Sequence, residues 1–243
     1  MSAARSRRRG PATLAIDVGG SGLKASVLGP DGAMLSSRVR VDTPDAPSPD
    51  ELVDALVALV LPLPSFDRIS IGFPGVVRDN RVLTAPHFGN QAWKHFPLAE
   101  RLGQRLGDKP VRLLNDAEVQ GYGVIAGQGL ELVLTLGTGL GSALFRNGEL
   151  MPHMEFAQFP AFGKKTMNRY VGKAARHRIG GKKWNHRVEK TIEAFRTLLQ
   201  FDRLYLGGGN AKKLDIDLPP DVLIVSNEAG LTGGIRLWDE RSG

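Results

Sequence analysis

One local pattern occurs twice in this chain: a strand-like apolar run, a glycine-rich turn and a second strand-like run. The first copy, over residues 13–28, has Asp17-Val18-Gly19-Gly20 at its turn, and the second, over residues 130–145, has Gly137-Thr138-Gly139. Each copy predicts a β-hairpin, because glycine supports a tight turn between two extended segments. Repetition of the same order of elements indicates a duplicated α/β unit.

The rest of the chain alternates between strand and helix patterns. Apolar residues at helical spacing follow Ser48, a residue type that is favoured at a helix N-terminus. Further expected strands are Ala33–Val41, Arg68–Phe73, Val111–Leu114, Arg203–Leu206 and Val222–Val225, and further expected helices are Leu98–Leu106, Asn115–Ala126, residues 166–180, residues 185–200 and Ala229–Leu237.

The length of 243 residues allows one large domain or two small lobes. We expect a disordered basic tail at residues 1–12, an N-terminal α/β lobe at 13–114 and a C-terminal α/β lobe at 115–243. No Pro/Ser-rich linker separates the lobes, so the chain would cross directly from one to the other. A last helix at about residues 229–238 can pack back on the N-terminal lobe.

Positive charge is concentrated in two segments. The chain has 32 Lys and Arg against 25 Asp and Glu, a formal net charge of +7, with one cluster at Arg5–Arg9 and another at Lys164–Lys190. Three interpretations of the second cluster remain open: a solvated helical face, a binding track for polyphosphate and a nucleic-acid surface. The last is the least favoured, because no aromatic stacking platform or known nucleic-acid module accompanies the charge.

Composition excludes several classes of protein. With 0 cysteines the chain can have no disulfide, no thiolate nucleophile and no cysteine-ligated zinc site. No apolar run approaches the roughly 18 residues of a membrane span, and no apolar segment of a secretory signal follows the N-terminal arginines. We therefore expect a cytoplasmic protein that makes no membrane contact.

The first glycine turn carries residues suited to phosphate chemistry. Asp17 can hold a hydrated Mg²⁺, and Lys24 can neutralise phosphate charge. The backbone of Gly19, Gly20 and Ser21 can approach phosphate oxygens. The alternative is an ordinary glycine-rich hairpin with a capping aspartate.

The second turn repeats this arrangement with Gly137, Thr138, Gly139 and Gly141. Two such turns, one in each lobe, can hold a phosphate chain from both sides. Neither turn is a Walker A sequence or a dinucleotide-binding fingerprint.

Asn115 and Asp116 follow a strand end, where ligands collect in α/β sheets. An aspartate can accept the proton of a hydroxyl nucleophile while an asparagine orients neighbouring hydroxyls. The alternative is that one of the two residues is only a helix N-cap.

Five segments in this order resemble the ROK family of sugar kinases, and within it the polyphosphate glucokinase branch: Asp17–Lys24, Gly72–Val77, Asn115–Ala117, Gly137–Ser142 and Gly207–Asn210. The resemblance implies an actin-like/hexokinase (ribonuclease H-like) fold with two α/β lobes and mixed five-stranded sheets. It implies an enzyme that transfers a phosphoryl group from inorganic polyphosphate, ATP or both to the 6-hydroxyl of glucose or a related hexose. It also implies Mg²⁺ and a homodimer.

The resemblance assigns roles to individual residues. It implies that Asp116 is the catalytic base and that Asn115, Glu155 and Gly75 belong to the sugar site. It implies nucleotide binding by the turn that consists of Gly207, Gly208, Gly209 and Asn210.

Three positions depart from the family pattern at the sugar site. Ala157 and Gln158 stand where relatives have the glycine and the histidine of a Glu-x-Gly-His motif, and His87 stands where relatives have asparagine. We retain Gln158 and His87 as candidate sugar-binding residues. The family's cysteine-rich zinc motif is absent, so no zinc is expected. Because of these departures, a non-catalytic protein that binds sugar or polyphosphate remains the alternative function.

Overall fold

The computed structural model describes residues 10–163, 165–226 and 229–239. It divides into two compact units: the first contains residues up to Leu114 together with Gly234–Asp239, and the second contains Asn115–Gly233. Within these described ranges, no helix combines the length and apolar character that crossing a membrane requires.

The N-terminal boundary of the first unit differs from expectation. The arginines of the predicted tail lie outside the described residues, but Ala12, the last tail residue, is buried. Its backbone N–H donates to Oδ2 of Asp67 at 2.7 Å. The predicted tail of residues 1–12 is therefore corrected at its end, because Ala12 is already part of the fold.

The first unit contains a mixed five-stranded sheet and a separate two-stranded ribbon. The strands are β1 (Thr13–Gly19), β2 (Gly22–Leu28), β3 (Val39–Val41), β4 (Arg68–Phe73), β5 (Val77–Arg78), β6 (Arg81–Val82) and β7 (Val111–Asn115), and the helices are α1 (Pro49–Val60), α2 (Asn90–Trp93) and α3 (Leu98–Arg105). The strands of the sheet lie in the order β3-β2-β1-β4-β7, with β1 antiparallel to β2 and parallel to β4, while β5 pairs with β6.

The helix predicted after Ser48 begins with a capping box. Oγ of Ser48 accepts from the backbone N–H of Glu51, whose carboxylate accepts from the N–H of Ser48 at 2.8 Å. These two bonds satisfy donors that a helix start leaves open. Leu52 and Leu56 are then fully buried in the core of the first unit.

The second unit repeats the sheet architecture. The strands are β8 (Leu130–Leu136), β9 (Leu140–Arg146), β10 (Glu149–Leu150), β11 (Arg203–Gly207) and β12 (Val222–Ile224), and the helices are α4 (Asp116–Tyr122), α5 (Met167–Val171), α6 (Lys173–Ile179), α7 (Gly181–Leu199) and α8 (Ala229–Thr232). The strands of the sheet lie in the order β10-β9-β8-β11-β12, with β8 antiparallel to β9 and parallel to β11. The predicted duplication is therefore confirmed: each unit has an antiparallel hairpin whose first strand pairs in parallel with a later strand.

The strand predicted at Ala33–Val41 is wrong over most of its length, because only Val39–Val41 forms β3. The preceding segment keeps one isolated bridge to β2, between Leu28 and Met34, and side-chain bonds replace the regular ladder after it. Oγ of Ser36 accepts from the backbone N–H of Val27, and Oγ of Ser26 donates to the Ser36 carbonyl, each at 3.0 Å. Serine offers the backbone an alternative to strand pairing, so the regular strand is interrupted here.

Several helix boundaries differ from expectation. The helix expected at 166–180 is divided at Gly172 into α5 and α6, and α6 ends at Gly180, where φ is +80°. The helix expected at 185–200 begins earlier, as α7 at Gly181. The helix expected to reach Ala126 ends at Tyr122. The closing helix is α-helical only over α8 and continues as a 3₁₀ helix at Gly233–Trp238.

The last described residues belong to the first unit. The indole N–H of Trp238 donates to Oγ of Ser70 at 2.8 Å, and that hydroxyl donates to the Gly234 carbonyl at 2.6 Å. The guanidinium groups of Arg68 and Arg112 each lie 4.9 Å from the Trp238 ring centroid, within the range of cation–π attraction. Gly234–Asp239 therefore completes a unit whose other residues precede Asn115.

A buried carboxylate fixes the loop between α4 and β8. Glu131 is fully buried and accepts the backbone N–H groups of Ala126 and Gly127, each at 2.7 Å, and of Gln128 at 3.0 Å. The Tyr205 hydroxyl also donates to it at 2.7 Å. Burial, followed by the hydrogen bond with Glu131, raises the pKa of Tyr205, so the phenol stays protonated.

Candidate active site

The first unit places Asp17 and Lys24 side by side. They are register partners on β1 and β2, and Nζ of Lys24 lies 2.6 Å from Oδ2 of Asp17. Their side chains are 18% and 31% exposed, respectively, so both retain contact with solvent beside the glycine turn. An ammonium has three donors, and this pair leaves it able to bind an anion as well.

His87 lies against the same turn, a proximity that the sequence did not indicate. A Cβ on Gly20 would lie 3.5 Å from the His87 ring, which is ordinary van der Waals contact. His87 is exposed, and both residues belong to the first unit. The structure thus brings a candidate sugar residue to a candidate phosphate turn. Gly75, the other candidate of this unit, lies against the Thr84 carbonyl.

In the second unit, Asn115 caps α4 and Asp116 is its first residue. Oδ1 of Asn115 accepts from the N–H of Ala117 at 2.9 Å, and Glu118 accepts from the N–H of Asn115 at 3.0 Å. Asn115 is therefore the N-cap residue of α4, and it is 5% exposed. Asp116 is half-buried, and its carboxylate also accepts from the N–H of Ala117 at 2.9 Å. These hydrogen bonds with the Ala117 N–H hold the side chains of Asn115 and Asp116 at the end of β7.

His153 connects this helix start to Glu155. Nδ1 of His153 lies 2.7 Å from Oε1 of Glu118, and Nε2 lies 3.5 Å from Oε2 of Glu155. Burial lowers the pKa of His153, but the hydrogen bond with Glu118 and the negative charges of Glu118 and Glu155 outweigh it and raise that pKa to about 9. The imidazole is therefore charged at neutral pH. Sequence reasoning missed His153, although its position two residues before Glu155 was a usable signal.

Glu155 precedes a short 3₁₀ helix at Phe156–Gln158, and Gln158 is its last residue. The Glu155 side chain is 33% exposed and Gln158 is exposed, whereas Phe156 and Ala157 are buried. The two polar residues therefore remain available to a ligand, while the residues between them anchor the loop in the core.

The second glycine turn is fixed by the segment that begins the basic cluster. Oδ1 of Asn168 accepts from the N–H of Leu140 at 2.9 Å, and the N–H of Lys173 donates to the carbonyls of Gly137 and Thr138 at 3.1 and 3.2 Å. A Cβ on Gly139 would overlap with Asn168, but a Cβ on Gly137 would meet no atom within 4 Å. Gly139 is therefore required by packing, whereas Gly137 faces space that a ligand could occupy.

This contrast predicts different effects of two matched substitutions. Gly139→Ala should lower the free energy of unfolding by about 1–3 kcal/mol, because it displaces Asn168 and leaves the Leu140 N–H without its acceptor. Gly137→Ala should change it by less than about 0.5 kcal/mol, as expected where an added methyl meets no atom. Urea unfolding of both variants measures the difference. Equal destabilisation would contradict the assigned packing.

The turn predicted to bind nucleotide contacts the second glycine turn. Nδ2 of Asn210 donates to the Gly137 carbonyl at 3.0 Å, and the N–H of Asn210 donates to Leu136 O at 2.9 Å. Gly208 has a φ of +83° and packs on the Leu136 backbone, where a side chain would be strained. These bonds therefore hold the candidate phosphate turn and the candidate nucleotide turn together within the second unit.

The candidate residues divide between the two units. Asp17, Gly19, Gly20, Ser21, Lys24, Gly75 and His87 belong to the first unit, and Asn115, Asp116, Gly137, Thr138, Gly139, Gly141, Glu155, Gln158, Gly207, Gly208, Gly209 and Asn210 belong to the second. Among the described residues, no three His, Asp or Glu side chains are grouped so that they could hold a metal ion.

Comparisons with known proteins converge on one family. The model of the ROK family matches residues 13–155. A polyphosphate glucokinase of Mycobacterium tuberculosis (strain CDC 1551 / Oshkosh) is 31% identical over 235 residues, which cover 90% of this chain and 88% of the relative.

Two solved structures share the fold. The inorganic polyphosphate/ATP-glucomannokinase of Arthrobacter sp. strain KM superposes with a TM-score of 0.84 at 26% identity, covering 93% of this chain and 97% of the other. A ROK family glucokinase of Streptomyces griseus, solved with glucose and AMPPNP, gives 0.77 at 22% identity, with 93% and 98% covered. The expected actin-like/hexokinase fold is confirmed.

Proposed function

Because this chain belongs to the ROK family, we propose that it is a sugar kinase that transfers a phosphoryl group from inorganic polyphosphate or ATP to the 6-hydroxyl of glucose or a closely related hexose. One observation carries the assignment to this site: the contacts Glu118–His153–Glu155 link the helix start that bears Asp116 to the loop that bears the sugar carboxylate. These contacts support a site in which the proposed proton acceptor, Asp116, and the proposed hydroxyl ligand, Glu155, act on one sugar.

In the proposed reaction, Asn115, Glu155 and Gln158 bind sugar hydroxyls through amide and carboxylate groups. Asp116 accepts the proton of the 6-hydroxyl while this oxygen forms its bond to phosphorus. The bond from phosphorus to the bridging oxygen of the donor breaks, and its electron pair leaves with the shortened donor. Lys24 and the N–H groups of the glycine turns stabilise the charge on the transferred group.

Mg²⁺ is part of this proposal, and the residues fit it. Asp17 supplies a partly exposed carboxylate at a strand end, and Mg²⁺ takes one or two carboxylates, substrate phosphates and several waters rather than a protein cage. Asp17 would hold the hydrated ion beside Lys24. When bound, Mg²⁺ neutralises charge on the donor phosphates.

Support for a long anionic donor comes from the basic segment. Lys173, the first residue of α6, bonds to Gly137 and Thr138 of the second glycine turn. The exposed cations of the segment over α5 to α7 and the residues just before α5 are Lys165, Arg169, Lys173, Arg178, Lys182, Lys183 and Lys190. A polyphosphate chain with one end at the turn would meet this charge, whereas ATP would not extend along it. The relatives that use polyphosphate favour this interpretation over a solvated face or a nucleic-acid surface.

If polyphosphate binds along the basic segment, the double substitution Lys182→Gln and Lys183→Gln should impair the use of polyphosphate more than the use of ATP. The KM for long-chain polyphosphate should rise about 3- to 10-fold and depend less on salt, while the KM for ATP stays within about twofold. Arg101→Gln with Arg105→Gln, an exposed pair on α3 in the first unit, removes the same charge as a control. Equal changes in both variants, or in both donors, would contradict a polyphosphate track.

The function itself is tested by a coupled assay for glucose 6-phosphate with Mg²⁺, comparing ATP and polyphosphate on glucose, mannose and glucosamine. We expect product from at least one donor with glucose. A folded protein that binds sugar and yields no product from any pair would establish the non-catalytic alternative, which the kinase relatives do not favour.

A homodimer and a cytoplasmic location complete the proposal, and both stay predictions: the first from the family resemblance and the second from the sequence pattern. Light scattering of the purified protein decides the first, and fractionation of the source cells decides the second.

A further inference from the structure

His153 occupies a position that the proposed reaction does not use directly. Its side chain is 11% exposed and lies between two carboxylates, Glu118 at 4% and Glu155 at 33%. Glu118 is a structural carboxylate, since its other oxygen accepts the Asn115 N–H. Glu155 faces solvent more than either neighbour, so it is the member of the group that a ligand can reach.

The second ring nitrogen determines what His153 can do. Nε2 is a buried atom, and no described residue accepts a hydrogen bond from it, but Oε2 of Glu155 lies 3.5 Å away. A buried donor without a full partner is costly, and a carboxylate that moves closer relieves this cost. The described group nearest to this donor is therefore the Glu155 carboxylate, at 3.5 Å.

We propose that His153 is a positioning residue for sugar binding: its imidazolium holds the Glu155 carboxylate in place and ties it, through Glu118, to the helix start that carries Asp116. The proposal rests on the proposed function, because Glu155 is the sugar ligand that it positions. The ligand class is a neutral hexose whose hydroxyls donate to a carboxylate.

Charge makes this arrangement dependent on pH. Glu118 from α4 and Glu155 from the same loop are the groups whose charges act on the ring. Since the His153 pKa is raised from 6.5 to about 9, the ion pairs stabilise the fold fully below about pH 6.5. This stabilisation declines above that pH and is lost as pH rises through about 9. Sugar affinity should follow the charge state of the folded ring, and should weaken mainly as pH passes about 9.

The test uses the full chain and titrates glucose calorimetrically, without a phosphoryl donor, at several values between about pH 7 and about pH 10. His153→Gln keeps a polar side chain and removes the charge, so at neutral pH we expect its glucose Kd to rise about tenfold, with kcat within about threefold of the wild-type value. The wild-type Kd should rise through about pH 9 and that of His153→Gln should not. His95→Gln, at an exposed position in the first unit, is the matched control and should retain the wild-type profile.

A merely structural role for His153 predicts a different result. It would weaken binding by the same factor at every pH, and that outcome, or an unchanged Kd in His153→Gln, would overturn the proposal. NMR titration of the His153 ring in the sugar-free protein gives an independent readout, and a ring that titrates near its ordinary value would also overturn it. Normal pH-dependent sugar binding without phosphoryl transfer would instead overturn the proposed kinase and leave this inference standing. A wild-type protein that binds no sugar would overturn both.

Discussion

Replacing Asp116 by asparagine should lower kcat by roughly 10²- to 10⁴-fold, the usual contribution of a general base. Asparagine has nearly the same shape and its amide oxygen can still accept the Ala117 N–H, the bond that Asp116 makes at 2.9 Å. It cannot accept the proton of the sugar hydroxyl. Steady-state kinetics with glucose and each donor measure the effect, and sugar Kd should change little because the asparagine retains its hydrogen-bonding groups.

Asp217→Asn is the matched control, since this aspartate is exposed in the same unit and loses the same charge. We expect it to keep the wild-type rate. Thermal unfolding of both variants checks that the lost rate is not lost structure. If Asp116→Asn retains more than about a tenth of kcat, the assigned base is wrong.

Glu131→Ala should cause the largest loss of stability among the single changes considered, about 3 kcal/mol or more. It removes the acceptor of three backbone N–H groups and of the Tyr205 hydroxyl, at a fully buried position. Each buried donor that loses its acceptor is left without the hydrogen bond that offset the cost of removing it from water. The loop before β8 also loses the contacts that hold it. Denaturant unfolding at neutral pH measures the free energy.

Two further variants separate the contributions. Glu149→Ala removes an exposed glutamate from β10 in the same unit and should change stability by less than about 0.5 kcal/mol. Tyr205→Phe removes one donor and leaves the carboxylate with its backbone partners, so its cost should be about 1 kcal/mol. A Glu131→Ala protein as stable as Glu149→Ala would show that the loop does not depend on this carboxylate.

Much of the architecture could be predicted because its determinants are local. Apolar runs on both sides of a glycine turn define the hairpins at residues 13–28 and 130–146, and the structure pairs Asp17 with Lys24 as such a hairpin requires. Ser48 and Glu51 likewise lie within one helical turn, so their capping box is legible in sequence. Motifs of this kind also placed Asn115 and Asp116 at a strand end.

The remainder depends on residues that are distant in sequence. His153 acquires its role only because the fold brings it to Glu118, which is 35 positions away. His87 reaches Gly20 in the same manner. The helix break at Gly172 was missed because a helical pattern of apolar residues continues across it, and glycine inside such a pattern is tolerated often enough to be ambiguous.

The order of synthesis on the ribosome differs from the order in which the two units gain all their residues. Residues Gly234–Asp239 are made after residues 115–233 of the second unit, yet Trp238 bonds Ser70 across 168 positions of the chain. The first unit therefore acquires its Trp238 contacts only after that part of the second unit has been synthesised. Chains that stop before Trp238 would carry an N-terminal unit without these contacts.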